Sequence, residues 1–331
     1  MRAVDIKNEV GDADALFIND NVPTPVPKEG ELLVRVKAFG LNRMDLIQRV
    51  GKYPLPPQAP KTLGVEFSGT VESLGAGVDC FKKGDPVFGL TYGGAYAEFV
   101  AVSSGMCIHK PEGLSYEAAA GIPETWITAT QALWTVGGFK PGDKVLIHAG
   151  ASGVGIAAIQ LAVHAGAAAV YATASSQEKL DFCTGTLGAT AAFNYKTQDF
   201  AEEILKVTGG QGVDLIIDPV GQSHFQNDIT SAAKDGRIVL LAMMSGPLAK
   251  EVNLGPILFK RLRIEGTTLR SRDLTYQRQL RNKVVEEALP GITDGTLKVF
   301  VEKVFDWKDI VDAHKLMESN QTQGKIICTI D

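Results

Sequence analysis

Apolar and polar residues alternate in the first third of the chain and follow helical spacing later. Glu31-Leu-Leu-Val-Arg-Val-Lys-Ala38 has the period of two of a half-buried strand. Gly69-Thr-Val-Glu-Ser-Leu-Gly75, Asp85-Pro-Val-Phe-Gly89 and Gly94-Ala-Tyr-Ala-Glu-Phe-Val100 read as further short strands between Gly/Pro-rich turns, a β-rich barrel-like unit. Val22-Pro-Thr-Pro-Val-Pro27 and Tyr53-Pro-Leu-Pro-Pro57 are stiff loops. Helical spacing takes over at Ser115–Ala120 and Thr125–Thr135. From Lys144 strands and helices alternate, with strands predicted at Ala167–Thr173, Val213–Ile217, Arg237–Ala242 and Arg263–Thr267. That alternation predicts an α/β, doubly wound parallel sheet. A helix from Asp273 to about Leu289, a strand near Val299–Val304, a helix over Asp309–Glu318 and a strand Gly324–Thr329 complete the chain.

The richest segment is Lys144-Val-Leu-Ile-His-Ala-Gly-Ala-Ser-Gly-Val-Gly155, an apolar strand entering a glycine turn from which a helix leaves. Gly150 is read as permitting the turn, Gly153 as clearing the approach of a pyrophosphate, and Gly155 as letting helix and strand pack closely. Ala151, Ser152 and Val154 complete the loop, with Ser152 where the usual fingerprint has its middle glycine. The helix start then offers N–H groups and a positive dipole end to phosphates.

An NAD site places a carboxylate about 20 residues past the glycines, at the end of the second strand. Here Thr173 is followed by Ala174-Ser-Ser-Gln-Glu-Lys179, without a carboxylate at the strand end. Ser175 and Ser176 supply hydrogen bonds, Lys179 a point charge for a 2′-phosphate, and Tyr195 a hydroxyl to close the pocket. NADPH is therefore favoured, although Glu178 would oppose it if turned inward; the alternative is a solvated helix start. Strand ends of such a sheet face the crevice, which brings in Asp218, Val220, Ala242, Met243 and Met244.

With 331 residues, 45% of them hydrophobic, 21% charged, and a formal net charge of −5, the chain has the size of about two domains and no basic excess for nucleic acid. Met1–Val10 lacks the apolar core of a signal peptide, and no stretch has a membrane span's uninterrupted apolar run, so a cytoplasmic location is expected. Cys80, Cys107, Cys183 and Cys328 form no C-x-x-C pair, which argues against a disulfide framework or zinc cluster. His148 is read as a core or crevice residue.

Gly64-Val-Glu-Phe-Ser-Gly69, Lys83-Gly-Asp-Pro-Val87, Gly94-Ala-Tyr-Ala-Glu98 and the nucleotide loop, in this order, resemble the medium-chain dehydrogenase/reductases over essentially the whole chain. Leu41-Asn-Arg-Met-Asp-Leu46, Ile122-Pro-Glu-Thr-Trp-Ile-Thr128, Phe259-Lys-Arg261 and Leu269-Arg-Ser-Arg-Asp273 resemble the zinc-independent quinone oxidoreductases, including the tumour-suppressor-inducible branch. The resemblance implies a GroES-like domain over residues 1–124, completed by 272–331, and a Rossmann domain over 125–271. It implies NADPH in the inter-domain cleft, a small quinone or enone substrate, and a homodimer joined through the Rossmann sheets. Thr128 resembles the family's nicotinamide or phosphate contact, and Thr267, Thr268 and Leu269 match a segment near the nicotinamide ring.

The zinc-dependent members of the superfamily carry a Cys near the position of Asn42 and Gly-His-Glu near Gly64; this chain has Asn42 and Gly64-Val65-Glu66. Without those ligands no zinc site is expected. Charge developing on a carbonyl oxygen must then meet hydrogen-bond donors. The resemblance places Asn42, Asp45 and Tyr53 there, with Asn42 offering an amide, Tyr53 a phenol, and Asp45 orienting its neighbours. Against this stand purely architectural readings, in which Asn42 caps a turn and Tyr53 packs on prolines. Two other activities stay open: a 2-enoyl thioester reductase in which Tyr53 protonates carbon, and a non-enzymatic, crystallin-like NADPH-binding protein.

Overall fold

A computed structural model describes residues 1–331. The chain divides into two compact units, Met1–Ile127 with Arg270–Asp331, and Thr128–Leu269.

The first unit holds a hairpin of β1 (Ala3–Ile6) and β2 (Leu16–Asn19), then β3 (Glu31–Gly40), β4 (Glu66–Leu74), β5 (Pro86–Leu90), β6 (Phe99–Ser103) and β7 (Cys107–His109). The second unit holds β8 (Lys144–Ile147), β9 (Ala169–Ala174), β10 (Ala191–Asn194), β11 (Val213–Asp218), β12 (Ala232–Leu240) and β13 (Arg263–Gly266). The chain then returns to the first unit with β14 (Val301–Asp306) and β15 (Lys325–Thr329).

In the first unit the main sheet runs β14-β15-β3-β4-β5-β7, with β6 also paired to β3. Central β3 buries Leu32, Val34, Val36 and Ala38 and leaves Arg35 exposed, as its alternation predicts. The segment Gly94–Val100 departs from expectation, because only its end joins a strand, β6. The N–H groups of Gly94, Ala95 and Tyr96 bond instead to the carbonyls of Thr62, Gly64 and Leu63. Tyr96 is buried there, and before β6 the segment makes only an isolated antiparallel bridge, Ala97 to Ala3.

The second unit is a six-stranded parallel sheet in the order β10-β9-β8-β11-β12-β13. The first strand lies at the centre and the chain winds outward on either side, so the order reverses between β8 and β11. Ligands of open α/β sheets bind at such a switch point. Leu146, Phe193, Ile204, Ile216, Ile229 and Ile238 form a common apolar core. β12 starts five residues before the expected Arg237, with Asp235 in the left-handed region (φ 61°). The helix expected from Thr125 begins at Pro123 and widens into a π turn over Gln131–Val136.

Candidate functional site

The glycine loop follows β8 and opens the helix Gly153–His164. The residue that makes the turn is Ala149, with φ +52°, and not Gly150 as the sequence suggested. Gly150 is required by packing: a Cβ there would lie 2.8 Å from Cys183 Sγ and 2.9 Å from Ala172 Cβ. At Gly155 a Cβ would meet the carbonyl oxygens of Ala149 and Gly150 at 2.4 and 2.7 Å, so the helix rests directly on the loop backbone. Ser152 caps the helix, its Oγ accepting from Gly155 N–H at 3.1 Å. By helix geometry the N–H groups of Gly153 and Val154 have no partner within the helix, a donor pair suited to a phosphate.

Around the loop the candidate residues separate. Thr173 is buried; its carbonyl accepts from Gly150 N–H (2.9 Å) and its hydroxyl lies 2.8 Å from His148 Nδ1. It therefore braces the loop from below. Asp218 is also buried, its carboxylate accepting from Val220 and Gly221 N–H at 2.6 and 3.0 Å. Burial, and then Asp228 beside it, push its pKa up to about 6. His148 lies just beyond β8, with Nε2 2.7 Å from Asp228 Oδ1. Burial lowers His148 to about 4 and raises the Asp228 pKa well above its ordinary value, so burial disfavours the charged form of both groups.

At the end of β9, Ser175, Ser176 and Lys179 are half-buried, while Glu178 is exposed. Ser176 Oγ caps its helix by accepting from Lys179 N–H at 3.4 Å. Tyr195 is 40% exposed, its ring 5.3 Å from that of His224. Ala242, Met243, Met244 and Thr268 are exposed, Val220 is half-buried, and Thr267 and Leu269 are buried. The hydroxyl of half-buried Thr128 has no hydrogen-bond partner, and neither has that of buried Thr130.

In the first unit, Asn42 and Asp45 flank the start of the helix Arg43–Arg49. Asp45 is a buried brace: Oδ2 accepts from Asn42 N–H (2.8 Å) and Tyr96 O–H (3.1 Å), and Oδ1 from Gly64 N–H (3.3 Å). Burial raises its pKa to about 6, opposed by the Asn42 hydrogen bond. The Asn42 side chain does not simply cap the turn. Its Nδ2 donates to Glu66 Oε1 at 2.8 Å, and its Oδ1 accepts from Lys325 Nζ at 2.8 Å. Nδ2 carries two N–H donors, so one remains beyond the bond to Glu66. Tyr53 is half-buried, with its ring 5.2 Å from Arg270 Cζ. Burial, then Glu124, raise the Tyr53 pKa, and Arg270 opposes them.

Sequence reading missed the charged groups behind these residues. Lys325 Nζ lies 2.6 Å from Glu66 Oε1 and also donates to Leu41 O, both side chains being almost wholly buried. Glu66 Oε2 accepts from Glu124 N–H at 2.8 Å, and Glu124 is pushed up to about 8 by burial and by Glu66. The only signal was a charged residue inside an apolar run, as in Gly324-Lys-Ile-Ile-Cys328.

A family model described as "Alcohol dehydrogenase GroES-like domain" matches residues 28–112, and one described as "Zinc-binding dehydrogenase" matches 153–286. "Quinone oxidoreductase" of Sus scrofa is 31% identical over 319 residues, covering 96% of this chain and 94% of that protein. "Synaptic vesicle membrane protein VAT-1 homolog" of Danio rerio is 31% identical over 321 residues, or 93% of this chain, which spans only 66% of that relative's length. Among solved structures, Escherichia coli quinone oxidoreductase complexed with NADPH superposes with a TM-score of 0.87 at 29% identity, covering 100% of both chains. The CurK enoyl reductase superposes with a TM-score of 0.85 at 30% identity, covering 100% of this chain and 99% of that one. The two units are thus the GroES-like and Rossmann domains of a medium-chain dehydrogenase/reductase fold. The chain belongs to the quinone oxidoreductase family of these proteins.

The zinc in one family description does not fit the residues here. No group of three or more His, Cys, Asp or Glu side chains could hold a metal, and the ammonium of Lys325 already occupies the oxygens of Asn42 and Glu66. A dication beside that ammonium would be repelled.

Proposed function

We propose that the protein is an NADPH-dependent quinone reductase that delivers hydride or electrons to a quinone or related enone without a metal. The observation that carries the cofactor choice is the end of β9, where Ser175, Ser176 and Lys179 are half-buried and the carboxylates of the following helix, Glu178 and Asp181, are exposed. The Gly153 and Val154 N–H groups hold the pyrophosphate, and the unpartnered Thr128 hydroxyl and exposed Thr268 lie toward the nicotinamide end. Thr173 and Asp218 hold the loop and the strand end in shape and touch the cofactor through backbone at most. Bound NADPH supplies the hydride. The second N–H of Asn42 and the phenol of Tyr53 meet the negative charge that develops on the acceptor oxygen. Asp45, fully engaged by Asn42, Tyr96 and Gly64, positions Asn42.

The likeness to an enoyl reductase supports a second reading, in which the Tyr53 phenol gives its proton to carbon. A homodimer is also part of the proposal: β13 is an edge strand, and Leu258 and Phe259 nearby are 74% and 77% exposed.

Lys179→Ala tests the cofactor reading. A charge-assisted contact to phosphate contributes about 1.5–3 kcal/mol, so the NADPH dissociation constant should rise about tenfold or more while NADH binding stays nearly constant. Equal loss for both nucleotides would place Lys179 in folding instead.

A further inference from the structure

Arg270 begins the segment that returns to the first unit, and it is a buried cation that makes no ion pair with a carboxylate, although the Asp45 and Glu124 carboxyls lie close enough to feel its charge. Its residue is only 3% exposed. The guanidinium is held by neutral acceptors, Nε donating to Tyr92 O at 2.7 Å and Nη1 to Gln48 Oε1 at 2.8 Å and to Met44 Sδ at 4.0 Å. Nη2 is buried and completes no hydrogen bond. The absent Gly93 side chain helps keep that nitrogen open, since a Cβ there would stand 3.1 Å from it. The surrounding carboxylates are otherwise committed. Glu66 is paired with Lys325, the Asp45 oxygens accept from Asn42, Tyr96 and Gly64 and interact with Arg270 only through space, and Glu124 is pushed up to about 8 and so carries little charge at neutral pH. A buried charge without a direct ion pair is costly to maintain, and such groups cluster at sites where a ligand's charge can meet them. The one aromatic ring against this guanidinium is that of Tyr53, at 5.2 Å.

We infer that Arg270 is a positioning residue that holds the Tyr53 phenol and, acting through it, stabilises negative charge on a ligand oxygen. The ligand class is a carbonyl compound whose oxygen becomes anionic on reduction, giving a phenolate or an enolate. This rests on the reading of Tyr53 as the donor to the acceptor oxygen. Tyr53 covers the guanidinium and presents its O–H to the oxygen, and the charge behind strengthens that donation in a medium of low dielectric.

The test needs no turnover, so it is separable from the assignment of activity. 4-Nitrophenol is colourless as the phenol and yellow as the phenolate, and its binding reports directly on anion preference. Gln48→Glu gives Arg270 a carboxylate in place of an amide at the same hydrogen bond, neutralising the charge, and it also removes the Gln48 Nε2 donation to the Lys61 carbonyl. It should weaken phenolate binding about tenfold in protein that remains folded. Arg270→Met should do the same and Arg270→Lys should restore part of the affinity. In a Tyr53→Phe background the Gln48→Glu effect should shrink, since coupled residues are not additive. Unchanged phenolate affinity in folded Gln48→Glu protein would overturn the inference, as would a full effect persisting without the Tyr53 hydroxyl. Should Arg270→Met fail to fold, the Gln48→Glu and Arg270→Lys results decide alone.

Discussion

Asn42 shows how one polar residue gains its orientation from groups far along the chain. Its backbone N–H is fixed by Asp45, three residues on, and its amide by Glu66 and by Lys325, 283 residues away. The local half of this was legible, because Asn-x-x-Asp before an apolar run is a helix start. The distant half was not, since no local rule pairs Asn42 with a lysine in the last strand. Glu124 gives this network a pH signature. Its pKa is raised from 4.5 to about 8, so the folded state holds a proton that the unfolded state has released. Stability therefore declines as pH rises between those values, and the full penalty is present above the folded pKa. Glu124→Gln keeps the shape without the ionisation. Thermal melts from about pH 5 to about pH 9 should show the variant gaining on the wild type as pH rises. Parallel pH curves would show that Glu124 ionises freely.

At the scale of elements, the glycine loop was identified correctly as strand–turn–helix, but the roles of its residues were only partly legible. Ala149, not a glycine, takes the left-handed conformation, and Gly150 is confined by Cys183 and Ala172. Sequence spacing says where a turn lies; which residue bears the unusual φ depends on what packs behind it. Gly94–Val100 teaches the same lesson, where an alternating pattern was diverted by pairing with Thr62–Gly64. Gly155 carries an element-level prediction. The atoms that a Gly155→Ala methyl would strike are backbone oxygens, so either loop or helix must shift. The variant should lose about 1–3 kcal/mol of stability and bind NADPH about tenfold more weakly, read by thermal melting and nucleotide fluorescence. Normal melting and normal affinity would mean that the helix does not rest on the loop as described.

For the whole molecule, the alternation of strand and helix announced the parallel sheet well, because each strand is a short apolar run bounded by turns. The sheet's outer edge is less easily read from sequence, and the proposed dimer rests on it. β13 offers unpaired backbone groups beside exposed Leu258 and Phe259, and pairing two copies would cover them. Light scattering should return a particle of twice the 35.4 kDa chain mass. A particle of single mass at micromolar concentration would contradict the dimer. The central claim, reduction of quinones with NADPH, is tested most directly by initial rates against small quinones and enoyl-CoA esters, with wild type and Tyr53→Phe compared. The account predicts robust quinone turnover that favours NADPH over NADH and falls on the order of tenfold in Tyr53→Phe, as expected for one lost hydrogen bond. A strong enoyl-CoA rate that collapses by roughly 10²–10⁴ in the variant, with quinones turned over poorly, would contradict it.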